Sequence, residues 1–112
     1  MTESGSPRLR QRTQKIRAAL NALGLVCPGS LHTRTKTCGQ PSCKCTTDQS
    51  ARHGPYHEWT RYVDGRLVHR NVTPEQARII ARAIADYRKA ERLLARWVDE
   101  SVAEILRIPA GD

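Results

Sequence analysis

The sequence predicts an α+β protein: an N-terminal helix, a small three-stranded antiparallel sheet with a zinc knuckle, and a long C-terminal helix. Three observations predict it. Apolar residues recur at helical spacing towards both ends of the chain. Alternating runs flank a two-residue turn signal in the middle. Between them "CGQPSCKC", residues 38–45, crowds three cysteines into eight positions.

The elements follow in order. Residues 1–7 read as a disordered lead, and 8–112 as a single zinc-binding α+β domain, a size at which one modest core is expected. In residues 8–23, Leu9, Ile16, Leu20 and Leu23 share a helical face, and Gly24 is placed to end the helix as its first left-handed residue. "SLHTRTKTC" (30–38) then alternates. Leu31, Thr33, Thr35 and Thr37 point one way and His32, Arg34, Lys36 and Cys38 the other, the pattern of a strand with one basic face.

"YHEWTRYVDGRLVHRNV" (56–72) reads as a hairpin, because Asp64-Gly65 suits a two-residue turn with positive φ at both positions. That turn would pair Val63 with Arg66, Tyr62 with Leu67, Arg61 with Val68 and Trp59 with Arg70. One face then carries Trp59, Val63, Val68 and Val72 with His57, Arg61 and Arg70; the other carries Tyr56, Tyr62, Leu67, Thr60 and His69. Apolar volume favours burial of the Trp59 face. "TPEQ" (73–76) is a helix start, with Thr73 as cap, Pro74 in the first turn and Gln76 closing a capping box. The helix has no reason to stop before Ile108, where Pro109 follows. At about 1.5 Å per residue it is too long for a chain this small to cover alone. Either the N-terminal helix or a second subunit should lie along its second half.

The cysteines set the chemistry. Cys38, Cys43, Cys45 and His53 spell C-x4-C-x-C-x7-H, three thiolates and an imidazole, a set suited to tetrahedral structural zinc. Cys27 competes with His53 for the fourth position, with His32 and His57 behind them. Four protein ligands would close the site and leave no place for a reacting water. No apolar segment reaches the length of a membrane span, and the first residues lack the apolar core of a secretory signal. That implies the cytoplasm, where thiols stay reduced and available to metal.

"GSL" (29–31), "CGQPSCKC", "HGPY" (53–56) and the "DGR" turn before a long helix together resemble a family of small bacterial and archaeal proteins described only as a domain of unknown function. The resemblance covers roughly residues 28–95. It implies recurrence of the three cysteines and the histidine, which map onto Cys38, Cys43, Cys45 and His53, and an association with mobile-element genes. Cys27 has no counterpart in that pattern. Gln40 stands where the family usually has Lys, and His57-Glu58-Trp59 where it is richer in Tyr and Leu.

Charge points to the partner. The net charge is +8 and the pI about 9.9. Residues 1–73 hold twelve Lys and Arg against four acids, whereas 74–112 hold seven of each, so the excess lies entirely in the first two thirds. A nucleic acid, DNA ahead of RNA, is the polyanion that such asymmetry suits. Arg34, Lys36, Lys44, Arg52, Arg61, Arg66 and Arg70 are the candidate contacts, with Trp59 or Tyr62 able to stack on an unpaired base. The alternative is an interaction adaptor that dimerises, or takes a partner helix, through the long C-terminal helix. No nucleophile elbow, H-E-x-x-H or phosphate loop is present, so an enzyme is not expected.

Overall fold

The computed structural model describes residues 6–36, 39–48, 51 and 53–109, the side chains of Lys36, Cys45 and His53 excepted. The element order is α1 (Pro7–Asn21), β1 (Ser30–Lys36), a single 3-10 turn (Lys44–Thr46), β2 (His53–Val63), β3 (Arg66–Val72) and α2 (Pro74–Leu106). This is the α+β arrangement that the sequence predicts. The chain divides into two compact units: residues 27–84, which hold the sheet and the start of α2, and residues 1–26 with 85–112, which hold α1 and the rest of α2.

The sheet is antiparallel with strand order β1-β2-β3. Its hairpin has the predicted register, with Val63 opposite Arg66, Tyr62 opposite Leu67, Arg61 opposite Val68 and Trp59 opposite Arg70. Asp64 (φ 51°) and Gly65 (φ 80°) both take the left-handed conformation. That sense of turn matches the twist of the strands it joins. β1 lies on the other side of β2, with Leu31 opposite Trp59, Thr33 opposite His57 and Arg34 opposite Tyr56.

Alternation along the strands therefore puts Leu31, Thr33, His57, Trp59, Arg61, Val68, Arg70 and Val72 on one face. This face is the better covered one, as apolar volume predicts: Trp59, Arg61, Val68 and Val72 are half-buried, whereas Tyr62 and Leu67 on the opposite face are exposed; Val63, expected on the covered face, is exposed next to the turn. The segment before β1 supplies part of the cover. Trp59 Nε1 donates to the Pro28 carbonyl at 3.0 Å, and Cys27 N–H donates to the Ala83 carbonyl at 3.3 Å. Gly29 (φ 110°) lies so close to the sheet that a Cβ there would run into the Thr60 carbonyl oxygen and Trp59 Nε1. Glycine is thus required by both the dihedral and the approach.

α2 opens on the predicted capping box. Gln76 N–H donates to Thr73 Oγ1 at 3.0 Å, and Thr73 N–H donates to Gln76 Oε1 at 2.9 Å, so each residue satisfies a backbone donor of the other. The helix runs unbroken for 33 residues, about 50 Å at the usual rise. It ends at Leu106, where 3-10 bonds from Arg107 and Ile108 to Glu104 and Ile105 close the last turn. In the unit built on residues 27–84, Ala77, Ala83 and Ile84 are buried.

The other unit answers what lies along the second half of α2. Leu9, Thr13 and Ile16 on α1 and Leu93 on α2 are buried there. Arg12 Nε pairs with Glu100 at 2.7 Å, and the Arg17 guanidinium sits 6.0 Å from the centre of the Trp97 ring. α1 differs from expectation at both ends. It starts at Pro7, because Ser6 caps it by accepting from Leu9 N–H at 3.1 Å. It stops at Asn21, because Leu23 N–H turns back to the Leu20 carbonyl. Gly24, the expected terminator, is not among the residues with positive φ. Of the expected disordered lead, residues 1–5 lie outside the described residues.

Candidate functional site

Seven basic residues are expected to form one surface around the sheet. Alternation divides them instead. Arg61, Arg66 and Arg70 belong to the Trp59 face and Arg34 to the opposite one, while Lys44 lies in the 3-10 turn, exposed. Arg52 lies outside the described residues, as does the side chain of Lys36.

On the covered face the central feature is Trp59. The Arg61 guanidinium stacks on its ring, 4.1 Å from the centroid. At that distance the positive charge gains from the negative face of the indole. Arg61 Nη1 is buried without a hydrogen-bond partner, so this arginine serves packing more than it serves solvent. The same Trp59 also lines a cleft with Arg70, Val72, Gln76, Ile79 and Ile80. The strand brings the indole and Arg70 side by side across the β2–β3 ladder, and the first turns of α2 close the other wall. Apolar walls, one exposed arginine and one amide form a slot suited to a flat, partly polar ring.

The open face carries a network of charged and polar groups. Arg34 Nη2 reaches Glu58 Oε2 at 3.3 Å, and Glu58 Oε1 is 3.8 Å from His69 Nδ1. That nitrogen also shares a 2.9 Å hydrogen bond with Thr60 Oγ1. Beside them Ser30 Oγ and His32 Nε2 are 3.4 Å apart. Glu58 thus neutralises the arginine expected to face a polyanion. The sequence contains the signal, since Glu58 stands two residues from Tyr56, the register partner of Arg34. The signal becomes readable only once the β1–β2 register is known. Tyr62 stands apart from the network, 72 % exposed.

The proposed metal ligands fall mostly beyond description. Cys38 lies outside the described residues, as do the side chains of Cys45 and His53; Cys43 is half-buried at the start of the 3-10 turn. Among the described residues no group of three His, Cys, Asp or Glu side chains gathers at metal-binding distance. His53 is the register partner of Lys36, which stands two positions before Cys38 in the sequence. Cys27, the rival ligand, is tied instead to Ala83 through its backbone. Burial pushes its thiol pKa above the ordinary 9.0, against a lowering by the nearby Arg61 charge.

The unanticipated members of the site are Gln76, Ile79 and Ile80. The capping box fixes Gln76 in the first turn of α2 but does not reveal that this turn lies against Trp59. No helix among the described residues is long and apolar enough to cross a membrane. A family model, the domain of unknown function DUF6788, matches residues 6–81, and the chain belongs to that family. The match takes in α1, which the resemblance read from the motifs leaves out, and stops within the first turns of α2. No curated protein and no solved structure matches the chain.

Proposed function

We propose that the chain binds single-stranded nucleic acid, DNA ahead of RNA, seating a base against Trp59 and drawing the backbone in with its basic residues. One observation carries the reading: the Trp59 indole lines an open cleft with Arg70 and Gln76 on a chain of net charge +8. Every base has a π face, so an aromatic wall beside a cation takes up bases with little regard to sequence. Arg66 and Arg70, both exposed on β3, and Lys44 would contact phosphates, with Lys36 and Arg52 in the same role. Such contacts position a strand without reading it. An accessory role in DNA transactions, in keeping with the mobile-element association that the motifs imply, fits binding of this kind.

Zinc held by Cys38, Cys43, Cys45 and His53 is part of the proposal. Three thiolates and an imidazole leave no open coordination position, so the ion would brace the end of β1 against the start of β2. The Lys36–His53 pairing supports that ligand set over one using Cys27. The site would persist in a reducing cytoplasm, where the thiolates remain free to bind metal.

The experiment is fluorescence anisotropy of a labelled oligothymidylate titrated with the protein at about 50 and about 200 mM salt. For about five phosphate contacts on a single strand, log Kd should change with log salt with a slope of about 3.5 in magnitude. Trp59 emission, followed in a Trp97→Phe background, should be quenched on binding. Absence of binding at low salt, or binding that ignores salt, overturns the proposal.

A further inference from the structure

The cleft beside Trp59 is uneven in its polarity. It lies within the unit built on residues 27–84 and has a volume of about 240 Å³. That is below the ~300–1,000 Å³ of pockets for drug-sized ligands, so it suits a single flat ring system. Val72, Ile79 and Ile80 give it an apolar wall. Among the described residues that line it, three carry polar side-chain groups: Trp59, Arg70 and Gln76. Trp59 Nε1 is already engaged with the Pro28 carbonyl. Arg70 is exposed and carries N–H donors but no acceptor. Gln76 has groups of both kinds, and the capping box decides between them. Thr73 N–H donates to Gln76 Oε1 at 2.9 Å. A backbone N–H needs an acceptor, so the amide oxygen is committed to Thr73 and the Nε2 hydrogens are what Gln76 offers a ligand.

Stacking takes any base, and a cleft that offers donors adds a choice among them. Guanine presents two neighbouring acceptors, O6 and N7, on one edge, and an arginine fork meets both at once. Adenine keeps N7 but carries the N6 amino group, a donor, in place of O6. Donor set against donor leaves Arg70 and Gln76 with hydrogen-bonding capacity that adenine cannot meet, and that costs affinity. The two purines share a two-ring outline, so stacking on Trp59 does not separate them. Pyrimidines bring one ring and cover less of the indole and the apolar wall. We propose that the Trp59 cleft prefers guanine to adenine in a single strand, with Arg70 and Gln76 as the specificity-determining residues. This preference presupposes that single-stranded nucleic acid binds at the cleft, as proposed above.

The test is fluorescence anisotropy on the full chain at about 50 mM salt, with oligothymidylates of about eight residues that carry one central purine. The guanine strand should bind about five-fold or more tighter than the adenine strand. Hypoxanthine, which keeps O6 and N7 and lacks only the exocyclic amine, should bind as guanine does. A guanine analogue with carbon in place of N7 should lose most of the advantage. Gln76→Glu keeps an oxygen for the capping box but replaces the Nε2 donor with an acceptor, so the guanine-to-adenine ratio should fall to about one or below. Arg70→Lys keeps a charge but loses the planar fork, and should lower the ratio too, with circular dichroism confirming the fold of both variants. Free guanosine monophosphate, which lacks the neighbouring phosphates, should compete far less well than the guanine strand. Equal affinity for guanine and adenine strands, with binding that still responds to salt, overturns the preference and leaves the nucleic-acid reading standing. A ratio unmoved by either variant, or free guanosine monophosphate competing as well as the strand, also overturns it. No binding of any strand at low salt overturns both.

Discussion

The two faces of the sheet use arginine in opposite ways. On the covered face Arg61 lies on Trp59, with one nitrogen buried and unpartnered, so its charge is spent inside the fold. On the open face Arg34 is exposed, yet Glu58 pairs with it, with His69 3.8 Å from the other carboxylate oxygen and hydrogen-bonded to Thr60. Neither is a free cation waiting for a phosphate. Arg70 differs from both, standing exposed at the cleft beside Trp59. A count of basic residues around a sheet therefore overstates its available charge, since Arg61 and Arg34 are engaged within the fold while Arg70 lines the cleft beside Trp59.

The sharpest way to break this contrast is to remove the indole. Trp59→Ala deletes the Arg61 stack and the hydrogen bond to the Pro28 carbonyl and opens the cleft. We expect a loss of about 2–3 kcal/mol in urea unfolding, short of the ~3–5 of a fully buried aromatic because Trp59 is only half-buried. A loss below about 1 kcal/mol would show that this face is not what holds the unit together. On the open face the corresponding deletion should cost far less. Glu58→Ala removes an ion pair whose arginine is largely in water, and the change should stay within about 1 kcal/mol. A larger loss would make the open network structural and reverse the assignment of the two faces.

The smallest effect concerns pH. Burial holds the Cys27 thiol protonated to higher pH in the folded chain than in the unfolded one. A group whose pKa is raised by folding contributes stability in full below the unfolded value, here the ordinary 9.0, and loses it as pH rises through the folded value. Alkylation of the Cys27 peptide, followed by mass spectrometry against pH, should therefore have its midpoint above 9.0 in the folded chain. The midpoint should fall back towards 9.0 in denaturant. Equal midpoints would mean that the thiol is not shielded by the segment leading into β1.

Much of this fold is legible in the sequence where the signal is local. Asp64-Gly65 determines the hairpin register because two residues with positive φ admit one way of pairing the flanking strands. Thr73 and Gln76 determine where α2 begins because the capping box needs no tertiary contact. The end of α1 is misread because Gly24 is only one of several ways to close a helix, and a turn at Leu20–Leu23 closes it first. Thr13 is missed as a core residue because its hydroxyl is satisfied within α1, donating to the Leu9 carbonyl at 2.9 Å, which frees a polar side chain to be buried. The site is less legible than the fold. The β1–β2 register spans the whole cysteine segment, with no short turn to fix it, so the pairing of Arg34 with Glu58 and the split of the arginines between faces cannot be read beforehand. Nor does a helix start indicate which wall of a cleft its first turn will form.

We propose that Arg70 beside Trp59, and not the basic count, makes a nucleic-acid-binding surface. The direct measurement is the affinity of Arg70→Ala and Arg34→Ala for the same oligothymidylate across a salt series, each compared with the unaltered chain. Arg70→Ala should weaken binding and lower the salt slope by about 0.7, the share of one phosphate on a single strand, while Arg34→Ala should leave both unchanged because Glu58 already holds that charge. Equal losses from the two variants, or a larger loss from Arg34→Ala, would contradict it.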